Sequence, residues 1–268
     1  RTMEHVLAEA RQLADSGVKE LIVIAQDITR YGMDWDGKPH LADLLEELCK
    51  LDFHWIRLHY LYPEWIDDRL IDVIAREDKI LKYLDIPLQH CNDKILKKMN
   101  RRGDKKYLCA LLDKLRERIP GLVLRTSIIA GLPGEGEEEF DELCDFLREQ
   151  KLLRAGVFPY SPEEGTRAAK MERVDSDEAA RRAERIVDIQ SEIIDAWNDE
   201  RQGDVMEVLC EGFDGQSMLF VGRSYAESPD IDGRIYFSAP RDVAAGEFVP
   251  VRITGAMDGE LTGELAEE

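Results

Sequence analysis

The sequence predicts an α/β fold in which a TIM-like (β/α) barrel, partial and lacking its first strand, precedes a small five-stranded antiparallel β-barrel. Apolar runs of strand length alternate with amphipathic helical stretches from Val6 to Tyr160, the pattern of a parallel sheet curving into a barrel. Barrels of this kind open on a strand, whereas this chain opens on a helix. From Gly203 onward the pattern becomes five short β runs punctuated by Gly, Asp and Pro, which predicts a small closed barrel.

Each element follows from its residues. Val6, Leu7, Ala10, Leu13 and Ala14 keep helical spacing until Gly17, and KELIVIAQD then reads as a buried strand with a polar end. Leu41 to Lys50 is helical and Trp55 to Tyr60 a strand. Pro63 to Arg76 is helical, with Ile66, Leu70, Val73 and Ile74 on one stripe. Tyr83 to Pro87 reads as a strand, and Asn92 to Arg118 as a helical region broken near Gly103. Leu122 to Ala130 is a strand, Glu137 to Gln150 a helix with Phe140, Leu143, Cys144 and Leu147 inward, and Arg154 to Tyr160 a strand. A charged helix from Asp175 then leads to the β runs. The expected division is 1–173 for the partial barrel, 174–202 for a connecting helix and 203–268 for the β-barrel.

The 268 residues carry a formal net charge of −20, which repels nucleic acid and phospholipid surfaces and accommodates a basic partner. No run is long and apolar enough to cross a membrane, and the N-terminal helix has no signal-peptide core; a cytoplasmic location is expected. Cys49, Cys91, Cys109, Cys144 and Cys210 are widely separated without a Cys-x-x-Cys pair, as reduced core thiols would be. No metal site can be assembled from cysteine or histidine spacing.

The stretch LVLRTSIIAGLPGE, Leu122 to Glu135, is the most informative one. A strand breaks at Gly131, Pro133 and Gly134 and feeds a helix whose first turn holds Glu137, Glu138 and Glu139. Loops at the carboxyl ends of parallel strands bind ligands. Carboxylates around this helix start disfavour phosphate. The other strands also end in polar or special residues: Gln26 and Asp27, His59 and Tyr60, Gln89 and His90, Tyr160 and Ser161.

Three segments in order, YLDIPLQH, RTSIIAGLPGE and VFPYSPEEGTRAA, together closely resemble the radical S-adenosylmethionine (SAM) methylthiotransferases. VGRSYAESPDIDGRIYF is similar to that family's TRAM domain and narrows the resemblance to its ribosomal-protein branch. The resemblance covers essentially the whole chain. It implies a radical-SAM partial barrel followed by a TRAM barrel, the cofactor SAM, and two [4Fe–4S] clusters in a full-length enzyme. It also implies an electron-donor protein and methylthiolation of the β-carbon of an aspartate in the twelfth small-subunit ribosomal protein.

The sequence departs from the family pattern in having no Cys-x-x-x-Cys-x-x-Cys loop and no N-terminal sulfur-handling domain. It therefore reads as a fragment that is inactive alone, holds no cluster and contributes no catalytic residue. By resemblance, Gln26 and Asp27 face the methionine amino group and Gln89 and His90 lie near the ribose. Ile129, Gly131, Pro133 and Gly134 flank the adenine, with Phe158, Tyr160 and Ser161 along its other side.

Two alternatives stay open: a tRNA methylthiotransferase acting on a modified adenosine, and a noncatalytic barrel scaffold. Residues 203–268 hold 14 Asp and Glu against 4 Arg and no Lys, a bias that disfavours nucleic acid and suits a basic ribosomal protein.

Overall fold

The computed structural model describes residues 1–266; positions 267 and 268, the end of the expected terminal barrel, lie outside the described residues. It divides into two compact units, Arg1–Gln190 and Ser191–Glu268. In the first, strands β1 (Glu20–Val23), β2 (Trp55–Leu58), β3 (Ile80–Asp85), β4 (Val123–Ala130) and β5 (Arg154–Pro159) form one sheet in sequence order. Every adjacent pair is parallel. Helices α1 (Met3–Asp15), α2 (Met33–Asp36), α3 (Leu41–Leu48), α4 (Asp68–Arg76), α5 (Asp93–Lys98), α6 (Lys105–Arg118) and α7 (Glu137–Gln150) intervene, and α8 (Ser176–Glu200) follows.

Short polar side chains set the helix starts by accepting from otherwise orphaned backbone N–H groups. Asp67 accepts from Leu70 N at 2.8 Å, which splits the expected helix Pro63–Arg76 into a 3₁₀ turn, Pro63–Trp65, and α4. Asn92 and Asp104 cap α5 and α6 in the same way, either side of the break near Gly103. Strand β3 begins three residues earlier than the apolar run implied. Its lysine, Lys82, sends its ammonium to Ala75 O at 3.3 Å and Glu77 O at 3.0 Å at the end of α4, so a charged position is consistent with a strand interior.

That contact also assigns the faces of the sheet. Lys82 points to the helical layer, so Tyr83 and Asp85, with the opposite parity, point to the other face. There Arg57 donates to Glu20 at 2.6 Å and lies 4.7 Å over the Tyr83 ring, all three residues being largely or fully buried. This charged stack packs on the face opposite the helical layer, and toward the carboxyl ends of the strands Ile24 is 60% and Phe158 54% exposed.

In the second unit, β6 (Val205–Asp214), β7 (Leu219–Arg223), β8 (Ile235–Ser238), β9 (Phe248–Met257) and β10 (Glu260–Leu265) close into a barrel in the order β10-β8-β7-β6-β9. Four of its five pairs are antiparallel, and β8 and β10 run parallel. A closed ring with an odd number of strands cannot alternate direction at every seam, so one parallel pair is required. Val208, Phe237, Val251, Ile253 and Leu261 alternate inward to make its core.

Candidate functional site

At the carboxyl ends of the parallel strands, the expected residues that line pockets are divided among three of them rather than gathered in one cavity. Ile129 at the end of β4 and Phe158, Tyr160 and Ser161 at the end of β5 line a single pocket of about 380 Å³. The register makes this inevitable, because Ile129 pairs with Phe158 and Tyr160 N donates to Ala130 O at 2.8 Å. The Tyr160 hydroxyl is buried in this setting with no hydrogen-bond partner among the described residues.

Pro133 and Gly134 line a second pocket of about 540 Å³ with Lys98, Glu135, Met171 and Arg173. Asp27 lines a third, a cleft of about 520 Å³ along β1, α1 and α3. Asp27 also accepts from Thr29 N at 3.0 Å, capping the turn that follows β1, while Gln26 is exposed at the strand end.

Gln89 and His90 are tied into the site through other residues. Gln89 sits at φ 69, as Tyr60 does at φ 60 after β2, and such left-handed backbone costs a non-glycine residue about 1–3 kcal/mol. The strain is held by hydrogen bonds: Gln89 N donates to Ser127 O at 2.8 Å and Gln89 O accepts from Ile129 N at 3.0 Å, stitching the loop after β3 onto β4. Gln89 Oε1 accepts from Arg101 Nε at 3.2 Å. Positive φ at two successive strand ends is a mark of a constrained site and cannot be read from the residue types.

The organising residue, which sequence reasoning passed over, is Glu135. It is 3% exposed. One oxygen, Oε1, accepts from Gly131 N at 2.9 Å and from Arg182 Nη1 at 2.9 Å. The other, Oε2, lies 3.3 Å from His90 Nε2, at ion-pair distance but off the hydrogen-bonding axis. Burial pushes the Glu135 carboxyl up, and His90, Arg182 and the Gly131 N–H outweigh it and hold it below its usual range. Gly131 itself, at φ 80, lies so close to α8 that a Cβ there would stand 2.4 Å from that of Ala179. The signal for Glu135 was present, since it ends the most informative motif, but its partner Arg182 comes from α8, 47 residues away.

A second network was equally hidden. Asp85 accepts from Arg125 Nη1 at 2.9 Å and lies 3.3 Å from His59 Nδ1, joining three strands across the inner face. Burial pushes the Asp85 carboxyl up, and His59 and Arg125 outweigh that and hold it below its usual range. Both carboxyls have folded pKa values below their unfolded ones, so they stabilise the fold fully above the ordinary carboxylate range, 3.8 for Asp85 and 4.5 for Glu135, and lose that contribution as pH falls through the folded values. Urea midpoints of the first unit are expected to fall steeply between about pH 5 and 3. An Asp85→Asn, Glu135→Gln double variant should be less stable at neutral pH and show a flatter profile.

The five cysteines lie in α6, α7 and β6, at the end of α3 and after β3, and among the described residues no three His, Cys, Asp or Glu side chains converge as around a metal ion. Burial pushes the Cys49 thiol up to about 11 and raises that of Cys91. Protonated, scattered thiols do not fit an iron–sulfur cluster.

A five-stranded parallel sheet with left-handed backbone at two strand ends and a glycine-bearing loop after β4 agrees with what comparison with known proteins finds. The family model "Radical SAM superfamily" matches residues 1–147 and the model "TRAM domain" matches residues 203–266. The chain belongs to the radical SAM superfamily. Within it, the chain is similar to the RimO proteins: it is 47% identical, over 100% of its length, to ribosomal protein uS12 methylthiotransferase RimO of Symbiobacterium thermophilum. It is 48% identical over 98% of its length to that of Pelotomaculum thermopropionicum. The chain spans 56% and 60% of the length of these two relatives. Among solved structures, Escherichia coli coproporphyrinogen III oxidase (HemN), a radical SAM enzyme, aligns with TM-score 0.53 and 19% identity over 71% of this chain and 46% of its own. Streptococcus suis SuiB bound to precursor peptide SuiA aligns at 0.50 and 21%, over 72% of this chain and 40% of its own. These two likenesses establish the fold alone. Among the described residues no helix is long and apolar enough to cross a membrane.

Proposed function

We propose that this chain is the nucleoside-binding barrel and TRAM domain of a radical SAM methylthiotransferase whose substrate is ribosomal protein uS12. The observation that carries the reading is the pocket of Ile129, Phe158, Tyr160 and Ser161, set beside a loop that Glu135 locks in place. A flat ring would lie against the adjacent Ile129 and Phe158 side chains, and the Tyr160 hydroxyl, which has no hydrogen-bond partner among the described residues, would offer it a hydrogen bond. At the other strand ends, Gln26 and Asp27 supply oxygens that accept from an ammonium, and Gln89 and His90 sit at the ribose side. SAM held at these strand ends would supply one-electron chemistry at an unactivated carbon only with a cluster carried by residues other than those of this chain. The residues of this chain position the nucleoside.

The relatives' name supports uS12 as substrate, and the acidic second unit, 14 carboxylates against 4 Arg in 203–268, suits a basic protein. The aspartate β-carbon as target, two clusters and an electron donor in the whole protein, a cytoplasmic setting and the division 1–173, 174–202 and 203–268 belong to the same proposal.

Titration of the chain with S-adenosylhomocysteine by calorimetry tests the pocket. Saturable 1:1 binding is expected, and Phe158→Ala should weaken it roughly tenfold, the worth of one stacked base. Equal binding by the wild type and the Phe158 variant would remove the pocket from the argument.

A further inference from the structure

In a chain of net charge −20, residues 94–106 hold seven cations, Lys94, Lys97, Lys98, Arg101, Arg102, Lys105 and Lys106, against the single carboxylate Asp104. This stretch covers α5, the loop after it and the start of α6, at the carboxyl end of β3 and therefore on the rim of the strand-end site. Two of the cations are neutralised: Lys94 pairs with Glu139 at 3.0 Å and Lys105 with Glu142 at 3.2 Å. The neighbouring acids are spent on backbone, Asp93 accepting from Lys105 N at 2.8 Å and Asp104 from Tyr107 N at 2.7 Å. Glu64 is the remaining carboxylate among the aromatic residues described next. Lys97 and Lys98 also complement the dipole at the end of α5, but that explains only two of the remaining five cations.

The aromatic residues beside these cations decide what the strip fits. Arg101 stacks 4.8 Å over the Tyr62 ring and Arg102 5.8 Å over Trp65, with Tyr60, 40% exposed, in the same segment. We propose that Lys97, Lys98, Arg101, Arg102 and Lys106, with Tyr60, Tyr62 and Trp65, form a binding strip for single-stranded or looped RNA at the rim of the barrel. The ammonium groups meet phosphates, and the ring faces and guanidinium planes accept unstacked bases. An acidic protein would use the charges but has no need of the flat stacked faces. The overall negative charge does not forbid it, because the field of distant carboxylates is screened beyond about 8 Å at physiological ionic strength. The naming of RNA rather than DNA rests on the proposed ribosomal substrate, and the binding itself does not.

Fluorescence anisotropy of the chain with a fluorescein-labelled 20-nucleotide single-stranded RNA tests the strip. Four phosphate contacts predict that affinity falls roughly 50-fold between 50 and 200 mM KCl. A Lys97→Glu, Arg102→Glu, Lys106→Glu variant, whose exposed positions leave the circular-dichroism spectrum unchanged, should lose at least tenfold in affinity and flatten the salt dependence. An Arg11→Glu, Lys38→Glu control should bind as the wild type. No binding at 50 mM KCl, equal loss in the control, or displacement of the RNA by poly-L-glutamate but not by unlabelled RNA would overturn the proposal. A chain that grips RNA and ignores purified uS12 would leave the strip standing and remove the substrate reading.

Discussion

Replacing Glu135 by alanine is expected to destabilise the first unit by about 3–5 kcal/mol, the cost of leaving one member of a buried ion pair alone. Arg182 would keep its charge in a place where its side chain is 7% exposed, with Glu178 as its nearest remaining partner at 3.0 Å. The Gly131 N–H would lose its acceptor, a further buried orphan. Glu135→Gln retains an acceptor for Gly131 and should cost less, while Glu135→Ala combined with Arg182→Met should recover part of the loss, because the stranded charge is gone. Urea unfolding followed through Trp55 and Trp65, both in the first unit, reads these differences. Equal midpoints for wild type and Glu135→Ala would mean that the loop is held by something else. The same variant should abolish S-adenosylhomocysteine binding even where the unit remains folded, since the loop beside the nucleoside pocket would lose its fixed shape.

A single added methyl group at Gly222 should be nearly as damaging to the second unit. A Cβ there would stand 2.5 Å from Leu209 O and 2.6 Å from Val208 Cγ1 on the neighbouring strand. The first is backbone and cannot rotate away, so Gly222→Ala falls at the upper end of overpacking costs, about 3 kcal/mol. Gly263 on β10 meets Arg252 O at 2.6 Å in the same manner. Both positions adjoin register shifts, between Cys210 and Gly212 and between Thr262 and Gly263, where a small barrel turns its corners. A unit of this size has little stability in reserve. Thermal unfolding monitored through Trp197, which packs on the core of the second unit, should show a large fall in midpoint for Gly222→Ala. Gly215→Ala, where nothing lies within 4 Å, should leave the midpoint near that of the wild type.

Most of the architecture was legible in the chain. Continuous apolar runs between amphipathic helical stretches located all five parallel strands, and short β runs between Gly, Asp and Pro located all five barrel strands, because burial and turn chemistry are written locally along the chain. Boundaries moved where a polar residue acts through its backbone, as Asp67 does in starting α4, or where a charged one reaches out of a strand, as Lys82 does. The odd closed ring also imposed a parallel seam between β8 and β10 that no local pattern encodes.

The site divides along the same line. Sequence alone determined the chemical character of the strand ends: glycines and a proline after β4, aromatics at the end of β5, an amide and a carboxylate after β1, an amide and an imidazole after β3. These follow from residue type and from the rule that loops at the carboxyl ends of parallel strands face one rim. Only the tertiary structure decided which of them meet. It joined Ile129 to Phe158 and Tyr160 through strand register, strained Tyr60 and Gln89 into left-handed backbone, and brought Arg182 to Glu135 across 47 residues. Contacts between residues far apart in the chain depend on how whole elements pack, and a linear pattern records each element's own period but carries no information about its neighbour.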